Sequence, residues 1–369
     1  MKRILHVLRS LERSGMEMML LSSAEEWHRQ GYVCDVLATG RDIGHIAEEF
    51  RERGYGVFHF PFRSGARYLP RFQFLVDFYR LCRSGYDVVH IHTEAGPPVF
   101  AAIAKLAQVP CIAVTPHNVF RFRSVLRWRK WAERKFVRLL GAKYGMISEG
   151  VKRCEWETFR NRGVRIWNWL DTDHFRPPNA DERRDARRTL NVDDEEFVIV
   201  SVGNCNKAKN HSALIKAVSL LPGSINPVYY HVGREHPEFP ERSLAAELGI
   251  ESKARFAGSV QDPLPFLWAA DAYAMPSLNE GFPISAIEAV ASGVILVCSD
   301  RGGLSDVASE TQSTILTSIE PESIAEGLAK VGEWRHAERQ TRGAVDSALI
   351  CQRHSIEAGV RSLVEGLYR

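Results

Sequence analysis

Residues 271–293 read DAYAMPSLNEGFPISAIEAVASG, and the periodicity of this stretch changes in its middle. Ala272 to Met275 is a short apolar run of strand type, and Pro276, Ser277, Asn279 and Gly281 are turn residues. From Pro283 to Val290 apolar side chains recur at helical spacing. The segment therefore predicts a strand, a loop and a helix in succession, with Glu280 in the loop and Glu288 on the helix. Pro283 suits the first turn of that helix, because the N–H it lacks would be unpaired there, and the remaining free N–H groups point at whatever fills the loop. Such a turn is a place for an anion or for hydroxyl groups.

The same alternation recurs on both sides of this stretch. Toward the N-terminus, ILHVL at 4–8 is followed by a polar loop with Ser14 and Gly15 and a periodic helix from Met16 to about Gln30. VCDVLAT, GVFHFPF, DVVHIHT and CIAVTPHN continue the series. Closer in, FVIVSVGN leads into the loop NCNKAKNH and a helix from Ser212 to Leu220, and PVYYHVG, ARFAGSV and VILVCSD supply further strands. Strands alternating with helices predict doubly wound parallel sheets, with ligands at the carboxyl ends of the strands. The first turn holds no G-x-G-x-x-G, so a nicotinamide or flavin fingerprint is absent there.

A chain of 369 residues exceeds what one hydrophobic core serves, so two such domains are expected, with sites in the cleft between them. The composition changes around RIWNWLDTDHFRPP, where Pro177 and Pro178 interrupt structure. This places a linker over 171–190, between a first domain at 1–170 and a second at 191–351, and the tail from Cys351 to Tyr368 reads as a closing helix. An apolar fraction of 45% and a charged fraction of 25% describe an ordinary globular protein, and a net charge of +3 is too small to argue for nucleic acid. The seven cysteines are scattered and form no C-x-x-C, which argues against a disulfide framework or a zinc site and for a reducing cytosol. ILHVL is too short for a signal-peptide core and no run approaches a spanning length. A cytoplasmic protein, peripheral at the inner face of the membrane, is the expectation.

Several residues carry candidate chemistry. Gly203 lets the backbone approach a ligand and Lys209 supplies a point charge beside a helix N-terminus, a combination that suits a diphosphate. In a doubly wound domain this loop and the Glu280 loop line the same carboxyl edge. His117 stands just past the strand CIAVT, where strand-end residues face the cleft. His90 and His92 are expected on opposite faces of their strand, and so as packed histidines that share no ion. Asp171 and Asp173 form a D-x-D, which reads as turn capping before it reads as a metal site. From Arg121 to Lys143 nine basic residues face one acid, Glu133, interleaved with Trp128, Trp131 and Phe136. A basic aromatic helix of this kind is attracted to an anionic membrane surface, unless Trp131, Phe136 and Leu139 pack inward.

With these residues in place, the chain resembles the retaining glycosyltransferases of family 4 with the GT-B fold, and within them the bacterial exopolysaccharide and capsule enzymes. The resemblance is carried by ILHVLRSLERSGMEMML, HIHTEAG, TPHNVF, MISEGVKR, WNWLDTDHFRP, VGNCNKAKNH, RFAGSVQD and, most specifically, the E-x7-E segment through LNEGFPISAIEAVASGVILVCSDRGGLSDV. It implies two Rossmann-like domains, the first taking an acceptor and the second a nucleotide-sugar, with a last helix at 352–369 packing back on the first. It further implies Glu288 as ribose anchor, and Glu280 on the donor sugar with the N–H groups of Gly281, Phe282 and Ile284, beside Pro283. Lys209 would neutralise the diphosphate, and His117, with Ser14 and Gly15 of the first loop, would meet the acceptor side. The implied reaction is a hexose transfer from a UDP- or GDP-sugar to a glycan or lipid-linked acceptor, in which the leaving phosphate takes the acceptor's proton. No metal or other cofactor is expected.

Three departures from the family pattern stand out. Where an arginine is usual beside the loop glycine this chain has Asn204, which removes a charge-assisted hydrogen bond worth about 1.5 to 3 kcal/mol. Lys207 could replace it, and so could Arg234, which a second departure puts in reach, since the second-domain G-x-G here reads Gly233-Arg234-Glu235. The usual P-N-G is Trp167-Asn168-Trp169, expected to narrow a hinge. These departures motivate a second reading, a degenerate, non-catalytic protein that binds a nucleotide or partner. A nucleotide-sugar epimerase is a third, disfavoured by the E-x7-E segment.

Overall fold

The structure is a computed structural model that describes residues 1–62, 72–119, 122, 124–236 and 241–369. The chain divides into two units, one of Met1–Asp171 with Ile356–Arg369 and one of Thr172–Ser355. The first unit contains β1 (Lys2–Leu8), β2 (Tyr32–Ala38), β3 (Gly56–His59), β4 (Val88–Ile91), β5 (Cys111–Val114), β6 (Lys143–Met146) and β7 (Val164–Arg165). They form a parallel sheet in the order β3-β2-β1-β4-β5-β6-β7. The second contains β8 (Phe197–Val202), β9 (Pro227–Val232), β10 (Ala254–Gly258), β11 (Ala272–Met275), β12 (Ile295–Ser299) and β13 (Ile315–Thr317), again parallel, ordered β10-β9-β8-β11-β12-β13. Both are GT-B Rossmann-like α/β units. Their strands are near-continuous apolar runs because helices cover both sheet faces, and in the second unit Ile199, Leu214, Tyr229, Ile295 and Leu328 share one buried cluster.

Each sheet reverses its winding once. In the first unit β1 lies between β2 and β4, and in the second β8 lies between β9 and β11. At such a point neighbouring loops leave the sheet in opposite directions and a crevice opens at the carboxyl edge. The reversal thus decides which loops can share a ligand.

The stretch 171–190 is more than a connection. Ala180–Thr189 is a helix of the second unit, and Asn179 closes its start with a capping box: its side chain accepts from Asp181 and Glu182 while the Glu182 side chain accepts from the Asn179 N–H. The charges within the run are spent internally. Arg183 and Arg187 reach the buried Asp271 at 3.0 and 3.4 Å, and Arg339 joins them at 3.2 Å. Asp271 also accepts the N–H of Val198 at 2.9 Å, which locks β8 to β11 at the sheet edge opposite the ligand loops. A lone buried carboxylate would be costly; three guanidiniums and a backbone donor compensate it.

Three local expectations are corrected. The helix foreseen from Met16 to Gln30 is two, Gly15–Ser22 and Ala24–Arg29, because the buried Ser23 turns its hydroxyl to the Leu20 carbonyl at 2.9 Å and interrupts the ladder. Trp169 is a core residue of the first unit, not a hinge constriction: its indole N–H donates to Met19 O at 2.8 Å. The helix Ile356–Leu363 lies against that ring through Gly359, where a Cβ would come within 2.4 Å of it. The closing helix does not begin at 352 either. His336–His354 belongs to the second unit, Ser355 is extended, and only Ile356 onward joins the first.

Candidate functional site

At the second unit's reversal the loops after β8 and β11 are tied together. The N–H of Leu278 donates to Ala208 O at 2.7 Å, and the Asn210 amide donates to Pro276 O at 3.2 Å. Across this junction Lys209 Nζ lies 2.8 Å from Glu280 Oε1, with the side chains 20% and 14% exposed. The pair is neither solvated nor sealed. Gly203 and Gly233 have φ of 151° and 152°, and the space agrees: a Cβ on Gly233 would sit 2.2 Å from Gly203 O. The two backbones can touch only because Gly233 carries no Cβ.

Asn204 is occupied in this contact. Its Oδ1 accepts the Arg234 N–H at 2.9 Å, while the Cys205 N–H donates to Arg234 O at 2.9 Å. The Arg234 guanidinium is exposed beside the loop and has no side-chain partner among the described residues. Lys207 is exposed on the same loop.

The helix after the Glu280 loop is Ile284–Ala291, and Pro283 precedes it as N-cap with an extended ψ of 112°, one position earlier than foreseen. The N–H groups of Gly281 and Ile284 have no acceptor among the described residues. Phe282 turns inward and its ring stacks on His354 at 5.1 Å, so it faces the site with backbone only. Glu288 keeps partial access to solvent yet is surrounded by protein. Loss of water pushes its carboxyl up to about 7; His174 pulls the other way, and Asp262 adds to the rise. Among the described residues its carboxylate has no hydrogen-bond partner.

The first unit's reversal is built from histidines. His6 on β1 and His90 on β4 are paired in register. His6 Nδ1 is 3.0 Å from His92 Nε2, and His92 Nδ1 is 2.8 Å from His117 Nε2. His90 bonds the Tyr368 hydroxyl at 2.6 Å and the Thr115 hydroxyl at 2.7 Å. His90 and His92 therefore share a face, with ring centroids 3.9 Å apart, because strand residues two apart point the same way. Burial holds all four below the ordinary imidazole range, His6 at about 3 and His117 at about 4. A neutral chain must pass its protons in one direction. His6 Nε2 is buried without a partner, and a bare acceptor is cheaper there than an orphaned N–H. Assigned on that basis, Nδ1–H of each ring donates to the next, and His117 presents Nδ1–H outward. His6 was not legible as part of this chain, since a single histidine inside an apolar strand gives no signal of its neighbours.

Ser14 and Gly15 open the helix Gly15–Ser22 in the loop after β1. The Ser14 hydroxyl donates to Glu17, whose carboxyl is raised chiefly by burial. Asp171 and Asp173 belong to neither of the two clusters of three metal-ligating side chains found among the described residues, His6/His90/His92 and Cys205/His211/His231.

The basic segment contains the helix Ser124–Leu139, with Arg121 and Arg123 outside the described residues. Its charges divide by face. Arg134 is buried and paired with Glu155 at 2.8 Å and Glu94 at 3.2 Å, and Lys130 is buried against Glu94 and Glu133 at 3.2 and 2.9 Å. The inward packing of Trp131, Phe136 and Leu139 does not occur: they are 37%, 46% and 85% exposed, with Trp128 at 68%. Arg127 and Arg129 share that outer surface. Among the described residues no helix is long and apolar enough to cross a membrane.

The comparisons with known proteins agree with this architecture. Residues 13–174 match the family model described as Glycosyltransferase Family 4, and residues 182–343 match Glycosyl transferases group 1. The chain is a glycosyltransferase of the GT-B fold, built from a family 4-like unit and a group 1 unit. It is similar to the putative glycosyltransferase EpsF of Bacillus subtilis (strain 168), 25% identical over 81% of this chain and 79% of that protein. It is also 25% identical to the D-inositol 3-phosphate glycosyltransferase of Corynebacterium glutamicum (strain R), over 86% and 83%. Among solved structures, Anabaena Alr3699/HepE in complex with UDP superposes with a TM-score of 0.81 at 18% identity, covering 99% of each chain. A glycosyltransferase from Rickettsia africae ESF-5 superposes with the same score at 17% identity, covering 99% and 97%.

Proposed function

We propose that the chain transfers a hexose, with retention of anomeric configuration, from a UDP- or GDP-sugar to a glycan or lipid-linked acceptor in polysaccharide synthesis. The observation that carries this reading is the Lys209–Glu280 pair, which spans the second unit's reversal at 2.8 Å and stays open to a ligand. A diphosphate at that loop takes Lys209 as its counter-charge, freeing Glu280 to accept hydrogen bonds from the sugar's hydroxyls. The N–H groups of Gly281 and Ile284 donate to the sugar or diphosphate, and the unpartnered Glu288 accepts from the ribose hydroxyls. That neighbours crystallised with UDP and with UDP-glucose supports a nucleotide-sugar.

In the proposed step the acceptor oxygen bonds to the anomeric carbon as the bond to the phosphate oxygen breaks, and the leaving diphosphate takes the acceptor's proton. Charge grows on the diphosphate, so fixed cations lower the barrier more than they tighten ground-state binding. Lys209 is one; Arg234, held at the loop through Asn204, is the replacement for the missing arginine. At the first unit's reversal, His117 donates its Nδ1–H to an acceptor hydroxyl beside the loop of Ser14 and Gly15. The reading as a degenerate binder is weakened by the intact pair, since a loop that had lost its ligand would have no reason to keep a largely buried cation against Glu280.

The test is turnover of a panel of UDP- and GDP-sugars, followed as hydrolysis and as transfer. Activity with at least one donor, lowered about a hundredfold or more in Lys209→Ala and Glu280→Ala, is expected; no turnover with any donor, while UDP still binds, would return the degenerate reading. We place the protein at an anionic membrane surface through Trp128, Trp131, Arg127 and Arg129. Vesicles with anionic lipid should bind the protein, and Arg127→Glu with Arg129→Glu should release it; unchanged binding by that double variant sinks the membrane part alone.

A further inference from the structure

The loop that carries Glu280 is held by two other segments of the second unit. The Gly303 N–H donates to Glu280 O at 3.0 Å, and the backbones meet so closely that a Cβ on Gly302 would lie 2.4 Å from Glu280 O and one on Gly303 would lie 2.0 Å from Gly281 O. In a trans peptide the C=O and the following N–H point in opposite directions. With the carbonyls of Glu280 and Gly281 turned toward Gly302 and Gly303, the N–H groups of Gly281 and Phe282 are turned away from them. Where these donors aim depends on what keeps this short stretch from rolling about its own axis.

A second hold acts on the Phe282 side chain. Its buried ring stacks on that of His354, with centroids 5.1 Å apart and 28° between the planes. His354 ends the helix His336–His354 and is fully buried. Its Nε2 lies 2.6 Å from Glu310 Oε2, and a carboxylate accepts, so Nε2–H is the donor. The Glu310 side chain is 7% exposed; the residue caps the C-terminus of the helix Gly303–Ser309, and its other oxygen lies 3.4 Å from Arg353. The contacts close a circuit. Gly303 holds Glu280, the helix runs on from Gly303 to Glu310, Glu310 fixes His354, and His354 carries the Phe282 ring.

Packing alone does not ask for this arrangement. An apolar side chain in place of His354 would cover Phe282 without drawing a carboxylate out of water. What the polar pair adds is direction. The bond to Glu310 sets the plane of the imidazole, and a ring that cannot turn holds its stacked neighbour in one orientation, where an aliphatic contact would let it slide.

We propose that His354, oriented by Glu310, is a positioning residue for the donor site: it fixes Phe282 and so aims the N–H groups of Gly281 and Ile284 at the sugar or diphosphate. The inference rests on the transfer reading of that loop. Donors held in place stabilise the charge that grows on the leaving diphosphate, whereas ground-state binding tolerates a looser loop, so misplacing them lowers kcat more than affinity.

The test compares His354→Ala, His354→Phe and His354→Gln in the full chain by donor kinetics, by UDP calorimetry and by hydrogen exchange of the Gly303 amide, which is protected only while Glu280 O stays in place. His354→Ala should lower kcat about tenfold, with donor KM and UDP affinity changed less than about threefold, and should speed Gly303 exchange about tenfold in the ligand-free protein. His354→Phe keeps a ring and should recover most of kcat; His354→Gln keeps a donor for Glu310 but no ring and should not. Glu310→Ala should lower kcat in the wild type and add nothing in His354→Ala, because it acts through His354. A His354 that only supports the fold would lower the melting temperature while leaving kcat per folded molecule and Gly303 exchange unchanged. That result, full activity of His354→Gln, or additive losses with Glu310→Ala overturns the proposal. A wild type that turns over no donor would sink the transfer reading instead, and Gly303 exchange would still decide whether His354 holds the loop.

Discussion

The two sheet reversals are built on one topology and treat their polar groups in opposite ways. In the first unit, His6, His92 and His117 satisfy each other in a neutral chain, and His90 is closed off by Tyr368 and Thr115. In the second, Glu288 has no partner among the described residues, and Lys209 and Glu280 have only each other. A saturated chain orients one outward atom and needs no ligand to be stable. An unsaturated set of polar groups leaves partners for a ligand to supply, which is what supports the donor site proposed there.

Acid should separate the two regions most. A histidine whose folded pKa lies below its unfolded value near 6.5 contributes stability above that value and loses it as pH falls, by about 1.4 kcal/mol per pH unit. Four such histidines in the first unit, His6, His90, His92 and His117, should cost it more stability at pH 5 than His211 and His231 cost the second. Hydrogen exchange at pH 7 and pH 5 should show the first unit opening earlier; the second opening first would break the contrast. Next in size, Lys209→Ala should lower turnover about 10² to 10³-fold while weakening UDP binding far less.

Glu288→Gln sharpens the comparison from the other side. Its carboxyl, raised to about 7, is ionised only above that value, so UDP should bind more tightly as pH rises from 6 to 8. In the glutamine variant this dependence should flatten and affinity fall about tenfold, roughly one charge-assisted hydrogen bond. Because the folded state holds that proton above the ordinary glutamate range, the wild type loses stability between about pH 4.5 and 7, and the variant should be more stable at pH 8 by up to about 2 kcal/mol. Smallest, Arg234→Ala should reduce turnover about three- to tenfold, less than Lys209→Ala because its guanidinium is exposed and screened. No change would remove it as the substitute for the absent arginine.

Local patterns carried much of this. The strand, turn and helix of 271–293 and the alternation that makes both sheets parallel follow from apolar periodicity and turn residues, which act over a few neighbouring positions, and the GT-B fold from the family resemblance. The placement of Lys209 and Glu280 on one sheet edge followed from the winding rule. Where the reading failed, a distant partner decided. Ser23 split a helix from within, but Arg183 and Arg187 left the supposed linker for Asp271, more than eighty residues away. Trp169 entered the core because Gly359 makes room for it.

The sequence by itself determined the architecture and singled out the residues proposed as the donor grip, because periodicity and a dense motif are both written in consecutive positions. Only the tertiary structure decided which histidines share a face and pass a proton to His117, and which cations of the helix Ser124–Leu139 are buried. It alone brought Cys205, His211 and His231 within 4.8 Å of one another. Each of these depends on distances between side chains far apart in the chain, and on the withdrawal of water that sets whether a charge survives.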